Sequence, residues 1–318
     1  MTTMTEFWRR YASAPGRFLA RAMLRLTDPV DLRASRALDI SDVESVCVML
    51  GPYRNLTTLT ASVMFLHPQC QVLNHAGRRI FGRREVDFLE EFSCEKLDRF
   101  IQFAIRISGK GRQGACGGSI THSHAFDARH AMQAAAEQAD VPLIKPEIRC
   151  LFWKESHRVT NRLRDRPAAM HAMLQRDGRL RFLLPVRHPL DCAVSNIREG
   201  YEPMFPGLDT PAGPAAVMRG IVDDVVWFAR WQQEYPQRFF HFFAFDASVA
   251  TLVQLAGFMG LDPREDWLER AMSVVNIRSR YQHEASLIEA YREYVDARTP
   301  DMPNLRTALL ALADRPSV

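Results

Sequence analysis

A chain of 318 residues with 47% hydrophobic and 25% charged residues has an ordinary globular composition, long enough for one large α/β domain with helical additions. A net charge of only +4 calls for no nucleic-acid partner, although it suits an anionic ligand if basic residues gather in a cleft. No apolar run reaches the ~18 residues of a membrane span, and the first residues lack the apolar core of a secretory signal, so a reducing, cytoplasmic setting is expected.

Residues 1–40 read as a basic amphipathic extension. Phe7, Trp8, Phe18, Leu19, Met23 and Leu24 stand against Arg9, Arg10, Arg17, Arg21 and Arg25. Such a helix docks on its own domain or makes a weak contact with an anionic membrane surface. Residues 41–318 read as a single α/β domain with a helical C-terminal part. Ser45 to Leu50 is almost continuously apolar, as a buried strand is. Gly51-Pro52 ends it, Tyr53 to Leu56 is a tight loop, and Thr57 opens a helix with Leu59, Val63 and Leu66 on one face. Strand, short loop and helix N-terminus together cradle anions, because free backbone N–H groups and the positive end of the helix dipole point into the loop. Arg54 adds a charge, and Thr57 and Thr58 add hydroxyls. Threonines also cap helices for purely structural reasons. The frame is not a Walker A loop: Leu56, Thr57 and Thr58 stand where Gly, Lys and Ser/Thr would.

Residues 84–107 are expected to form a long helix, with Glu85, Glu90, Glu91 and Glu95 early and Arg99 and Arg106 late. Residues 108–121 are Gly-rich, a mobile lid or a plain surface connection. Ala128 to Gln138 and residues 161–176 look helical, and between them Arg149 to Trp153 is a strand ending at Lys154. Phe182 to Val186 is another buried strand. Arg187 follows at once, His188-Pro189 break the strand, and Asp191 to Asn196 opens a helix with Ser195 about two turns in. An Arg fork and a helical hydroxyl at the carboxyl edge of a sheet suit a phosphate. An Arg paired with a carboxylate at a strand end would look similar. Residues 202–214 are a Pro/Gly-rich loop, Met218 to Tyr235 is a long helix, and Phe239 to Phe245 is the last strand. Strands separated by helices indicate a doubly wound parallel sheet of about five strands between helical layers. Six scattered cysteines form no CxxC or Cys/His spacing, so no structural zinc is expected, and Cys47, Cys150 and Cys192 read as small core residues.

The two strand–loop–helix segments resemble the sulfotransferases that use 3′-phosphoadenosine 5′-phosphosulfate (PAPS). Their 5′-phosphosulfate motif, a basic residue then Ser-Gly-Thr-Thr, corresponds to Arg54-Asn55-Leu56-Thr57-Thr58, with Asn55-Leu56 replacing Ser-Gly. Their 3′-phosphate motif, Arg-x-Pro-x-Asp-x-x-x-Ser, falls without a gap on Arg187, Pro189, Asp191 and Ser195. The resemblance spans residues 45–261. It implies a P-loop-like three-layer α/β fold. It also implies transfer of a sulfuryl group from PAPS to an acceptor hydroxyl or amine by in-line displacement, leaving 3′-phosphoadenosine 5′-phosphate (PAP).

By the same resemblance, Arg54, Asn55, Leu56, Thr57 and Thr58 hold the 5′ end, and Arg187 and Ser195 hold the 3′-phosphate. Lys154 stands where the family often carries a strand-end lysine, suited to stabilise the leaving bridge. Cationic side chains over that bridge make a metal unnecessary. The tyrosylprotein branch continues from its first motif through His-Pro to a catalytic Glu. Here His67-Pro68 leads to Leu73-Asn74-His75, and His75 falls on the Glu position. The cytosolic branch takes its base from a Lys-Thr-His strand end, which Thr121-His122-Ser123-His124 resembles, and Glu155 and His157 follow Lys154. The base is expected to be His75, with His122, His124, Glu155 and His157 as rivals. Phe243 and Phe245 fit an adenine wall by type, although a core role fits both. Arg278 and Arg280 with Tyr281 could reach the 3′-phosphate. Arg78 and Arg79 either steer an acidic acceptor or are solvated surface charge. The acceptor, whether carbohydrate, tyrosine, lipid or small alcohol, has no readable code. An ATP-dependent P-loop kinase and a non-catalytic nucleotide-binding scaffold stay open as alternatives.

Overall fold

The computed structural model describes residues 14–110, 117–127, 130–208, 210–277 and 281–313, apart from the side chains of residues 14–23, 25 and 245. One six-stranded sheet carries the fold, in the order β3-β2-β4-β1-β5-β6. At its centre, β1 (Ser45–Met49) pairs in parallel with β4 (Cys150–Lys154) and with β5 (Leu180–Val186). β2 (Cys70–Asn74) extends the parallel set beyond β4, and β6 (Phe239–Phe243) extends it beyond β5. The short β3 (Gly118–Ser119) lies antiparallel on β2.

The sheet has six strands, one of them antiparallel; β2 and β3 join the four that the sequence marks as apolar runs. Gln71 and Asn74 interrupt the apolar run of β2, yet the whole strand is buried. Gln71 satisfies its amide on the Ser108 hydroxyl at 2.8 Å and the Leu143 carbonyl at 2.9 Å, so a polar residue survives in a core strand.

Strand side chains alternate between two cores. Val46, Val48 and Leu50 join Leu151 and Trp153 on one face, whereas Cys47 and Met49 join Cys150 and Phe152 on the other. The first face is covered by α4 (Cys94–Ser108), α8 (Pro189–Arg198), α9 (Pro214–Glu234), α12 (Ala285–Arg298) and α13 (Pro303–Ala313). The second is covered by α2 (Thr57–Phe65), α5 (Ala131–Gln138), α10 (Val249–Phe258) and α11 (Glu265–Val274). Both faces are apolar because helices cover both, which is why the central strands read as near-continuous apolar runs.

Several boundaries differ from expectation. The helix expected over 84–107 begins only at Cys94, where the Ser93 hydroxyl accepts from the Lys96 N–H at 3.1 Å. The acidic residues ahead of it sit in turns and serve as ion-pair partners: Glu90 takes Arg162 and Arg166. The helix expected over 161–176 is two, α6 (His157–Arg164) and α7 (Pro167–Arg176), because Pro167 cannot continue the first. The N-terminal helix α1 (Ala14–Ser35) packs on α4, with Arg99 donating to the Leu32 carbonyl at 2.9 Å. Among the described residues no helix is long and apolar enough to cross a membrane.

Candidate functional site

The carboxyl ends of the adjacent strands β4, β1 and β5 open into a cleft of about 450 Å3, lined by Arg54, Thr57, Thr58, His75, Lys154 and Arg187 among others. The loop after β1 is built on unusual backbone. Gly51 has φ 91°, and a Cβ there would meet Leu184 Cδ1 at 2.2 Å. Arg54 and Leu56 both adopt left-handed φ, 63° and 59°. Leu56 accepts the conformation that a glycine takes without strain, at a cost of about 1 kcal/mol. It stands at the N-cap of α2, where no side chain caps the helix. The first-turn N–H groups of α2 are therefore available to an anion.

The two motifs are physically joined. Arg54 Nε donates to Ser195 Oγ at 2.9 Å. Asn55 is fully buried and spends its amide on β5: Nδ2 donates to the Pro185 carbonyl at 2.5 Å, and Oδ1 accepts from the Arg187 N–H at 2.7 Å. Asn55 thus bolts the two loops together and does not face the cleft, a correction to its expected part in holding the ligand. Ser195 is buried as well, with its hydroxyl engaged by Arg54, and it stands behind the cleft wall.

Arg187 lines the cleft, held from behind by Asp191 Oδ2 at 3.6 Å and set over the Tyr281 ring at 5.7 Å. His283 Nε2 in turn lies 2.8 Å from Asp191 Oδ1. His188, Asp191 and His283 form a cluster of metal-ligand type. Within it, His283 pairs with Asp191, and His188 Nδ1 accepts from the Leu190 N–H. The cluster orients Arg187. Sequence reasoning missed His283, whose pairing with Asp191 spans 92 residues. Arg278 and Arg280 lie outside the described residues.

Lys154 ends β4 with its ammonium buried, 3.0 Å from His75 Nε2. Burial, with help from the Arg54 charge, lowers Lys154 to about 8. His75 is placed by a left-handed turn, φ 58° followed by Ala76 at 75°, which leads into the short helix α3 (Gly77–Ile80). Its carbonyl accepts from Trp153 Nε1 at 2.7 Å, and its N–H donates to the Lys154 carbonyl at 2.8 Å. Burial, then Lys154 and Arg158, hold the imidazole well below its usual pKa, so it is neutral at pH 7. Lys154 then donates to Nε2. Gly117 makes this turn possible, because a Cβ there would meet Ala76 N at 2.1 Å and the Asn74 carbonyl at 2.5 Å. Among the described residues of the Gly-rich stretch, Gly117 and Gly118 serve close backbone packing rather than flexibility.

The rival bases separate cleanly. His124 lines the cleft, its pKa lowered by burial and by the Arg54 and Lys154 charges. His122 is exposed and does not line it. Glu155 turns away: Oε2 accepts from the Gly77 N–H at 2.9 Å and Oε1 faces Arg158 at 3.4 Å, while burial raises its pKa to about 7. His157 is buried between Tyr53 and Phe205, ring centroids 5.6 and 4.5 Å away, with neither nitrogen partnered, and burial lowers it to about 3. Neither Glu155 nor His157 meets the cleft. Arg79 is buried against Asp28 at 2.8 Å and steers nothing, whereas Arg78 is exposed.

Tyr53, Tyr201 and Arg158, none of them anticipated, complete the lining, the two tyrosine rings 5.0 Å apart. A second, apolar groove meets the cleft at Leu56 and Leu59 and runs past Phe242, Leu252, Met272 and Val275. The aromatic residue it borrows from β6 is Phe242. Phe243 points into the opposite core.

No family model matches the chain, and no curated protein matches it. Among solved structures it is similar to mouse sulfotransferase SULT7A1 complexed with PAP, at 10% identity over 89% of this chain and 93% of that one, with a TM-score of 0.43. It is also similar to the sulfotransferase domain of the Synechococcus PCC 7002 olefin synthase, at 14% identity over 85% of this chain and 93% of that one, TM-score 0.37. A third is sulfotransferase STF9 from Mycobacterium avium, at 14% identity over 89% and 82% of the respective chains, TM-score 0.39. At TM-scores this low the likenesses carry no weight for the chemistry of the cleft.

Proposed function

We propose that the cleft transfers a sulfuryl group from PAPS to an acceptor hydroxyl or amine. The observation that carries this reading is the tie between two anion sites, Arg54 Nε on Ser195 Oγ and Asn55 on the Arg187 N–H. It holds a helix N-terminus and a second arginine at a set separation, as a ligand with phosphates at two ends requires.

PAPS supplies an activated sulfuryl group. The chain supplies position and charge. The uncapped first turn of α2, with Arg54, Thr57 and Thr58, holds the 5′ end, and Arg187 holds the 3′-phosphate. Lys154 is a cation whose charge is worth more in a buried site than in water. Neutral His75 accepts the acceptor's proton at Nε2 once Lys154 turns from that lone pair towards ligand oxygen. Tyr53, Tyr201 and Arg158 wall the side where the acceptor enters.

Calorimetry with PAP, 5′-AMP and ATP, each with and without magnesium, tests the reading. Preference for PAP over 5′-AMP is expected, together with loss of that preference in Arg187→Ala. Preference for ATP with magnesium would overturn it in favour of a kinase. PAP binding without turnover against a broad acceptor panel would favour a scaffold.

A further inference from the structure

Asn74 and Ser123 line the cleft, yet each keeps a polar atom that bonds nothing in the protein. Asn74 is 1% exposed and Ser123 is 7% exposed, and neither Asn74 Oδ1 nor Ser123 Oγ has a hydrogen-bond partner. A buried polar atom left this way weakens the fold unless something outside it supplies the bond. Among the described residues lining the cleft, these two are the ones with such an atom.

The sheet sets their place. Asn74 ends β2 and pairs with Lys154 at the end of β4, so the two side chains leave the sheet on one face. Asn74 also pairs with Gly118 of β3, from which the chain runs through the 3-10 turn Ile120–His122 to Ser123. The strand order β5, β1, β4, β2, β3 therefore leads from Arg187 through Arg54 and Lys154 to Asn74 and Ser123. In the proposed reading Arg187 and Arg54 hold the two ends of PAPS and Lys154 its bridge. The next strand end receives what lies beyond the sulfuryl group, which is the acceptor.

The chemistry of this end narrows the acceptor. Asn74 Oδ1 only accepts and needs an O–H or N–H, whereas Ser123 Oγ takes a donor or an acceptor. No described lining residue is acidic, so an ammonium acceptor meets no counter-charge. The Tyr53 ring, 6.5 Å from that of His75, adds a flat apolar wall. Several hydroxyls about one ring that also has an apolar face is the chemistry of a sugar. We propose that the acceptor is a sugar, held by Asn74 Oδ1 and Ser123 Oγ through hydroxyls other than the one that reacts. The inference rests on the sulfuryl-transfer reading. The reacting sugar oxygen forms its bond to sulfur as the bond from sulfur to the bridging phosphate oxygen breaks. Its proton goes to His75 Nε2, and the leaving electron pair stays on PAP beside Lys154.

Calorimetry with PAP, and turnover of methyl glucoside, methyl galactoside, methyl mannoside and N-acetylglucosamine beside 4-nitrophenol and tyramine, test it. Sulfation of at least one sugar, ahead of the phenol and the amine, is expected. Asn74→Leu and Ser123→Ala should each lower kcat/KM for that sugar by about tenfold and leave PAP affinity as it was. Neither variant should melt below the wild type, because neither atom bonds anything in the fold. A deoxy sugar lacking the contacted hydroxyl should lose the same factor on the wild type and nothing further on the variant. PAP binding with the phenol or the amine preferred, or with no sugar sulfated, would overturn the sugar and leave the PAP site standing. Absence of PAP binding by the wild type would instead overturn the reading beneath it. Variants that melt lower and keep their turnover would give Asn74 and Ser123 to the fold, and would overturn the inference as well.

Discussion

The ammonium of Lys154 lies 3.0 Å from Nε2 of His75, so the buried cation of the cleft and the imidazole proposed as its base share one hydrogen bond. Lys154 titrates at about 8, and His75 is held neutral by burial and by its cationic neighbours. A lysine whose pKa is depressed loses its charge early as pH rises. kcat/KM, which reports groups of the free enzyme, should therefore fall as pH rises through about 8. Lys154→Arg should move that limb upward, since a guanidinium does not titrate there. An unmoved limb would assign it to another group.

His75→Ala should lower kcat by about 10²–10⁴-fold, while PAP affinity changes little, because the proposed reading gives His75 the acceptor's proton and no phosphate contact. His124→Ala is the control, as the other imidazole of the cleft. A large loss in His124→Ala together with a small one in His75→Ala would reverse the two roles.

Asn55→Ala should damage both stability and ligand binding. It strips partners from the buried Pro185 carbonyl and Arg187 N–H, at a cost of about 2–4 kcal/mol. It also frees the loop that carries Arg54. Urea unfolding and PAP calorimetry read the two effects. Wild-type values in either would show that the loops keep their separation without this bolt.

Glu155 makes stability fall as pH rises. Its folded pKa, about 7, lies above its ordinary 4.5 because of burial. Between those values the native state keeps a proton that the unfolded chain has released, which disfavours folding by up to about 3 kcal/mol at the top of the window. Asp224, also raised to about 7 by burial, acts in the same direction. Glu155→Gln should flatten the loss between pH 4.5 and 7, because the amide oxygen still accepts from the Gly77 N–H. Urea midpoints at the two ends of the window decide it, and an unchanged difference would remove Glu155 from the account.

Gly117→Ala should cost about 3 kcal/mol, because its Cβ would strike backbone at Ala76 N and Asn74 O, which cannot rotate aside. Turnover should fall further than stability alone explains, since those atoms flank His75. Thermal melting and kcat, measured below the melting range, check this.

Much of the fold was legible because it is local. β1, β4, β5 and β6 announce themselves as apolar runs, and the loops after β1 and β5 carry their arginines and threonines in plain order. β2 was hidden by Gln71 and Asn74, and the burial of Gln71 depends on Ser108 and Leu143, far along the chain. The same cause governs the site. Arg54 and Ser195 lie 141 residues apart, and nothing local announces that they touch.

What the amino-acid sequence determined by itself is the periodicity and order of the strand–loop–helix units, and hence which strand ends carry Arg54, Lys154 and Arg187. Tertiary structure decided what each polar residue does there. A buried amide, carboxylate or imidazole must find a partner or lose its charge. Asn55 found β5, Glu155 found Gly77, His157 found two aromatic rings and stays neutral, and Arg79 found Asp28. Those outcomes depend on which strands become neighbours, and that is a property of the packed sheet rather than of any stretch of chain.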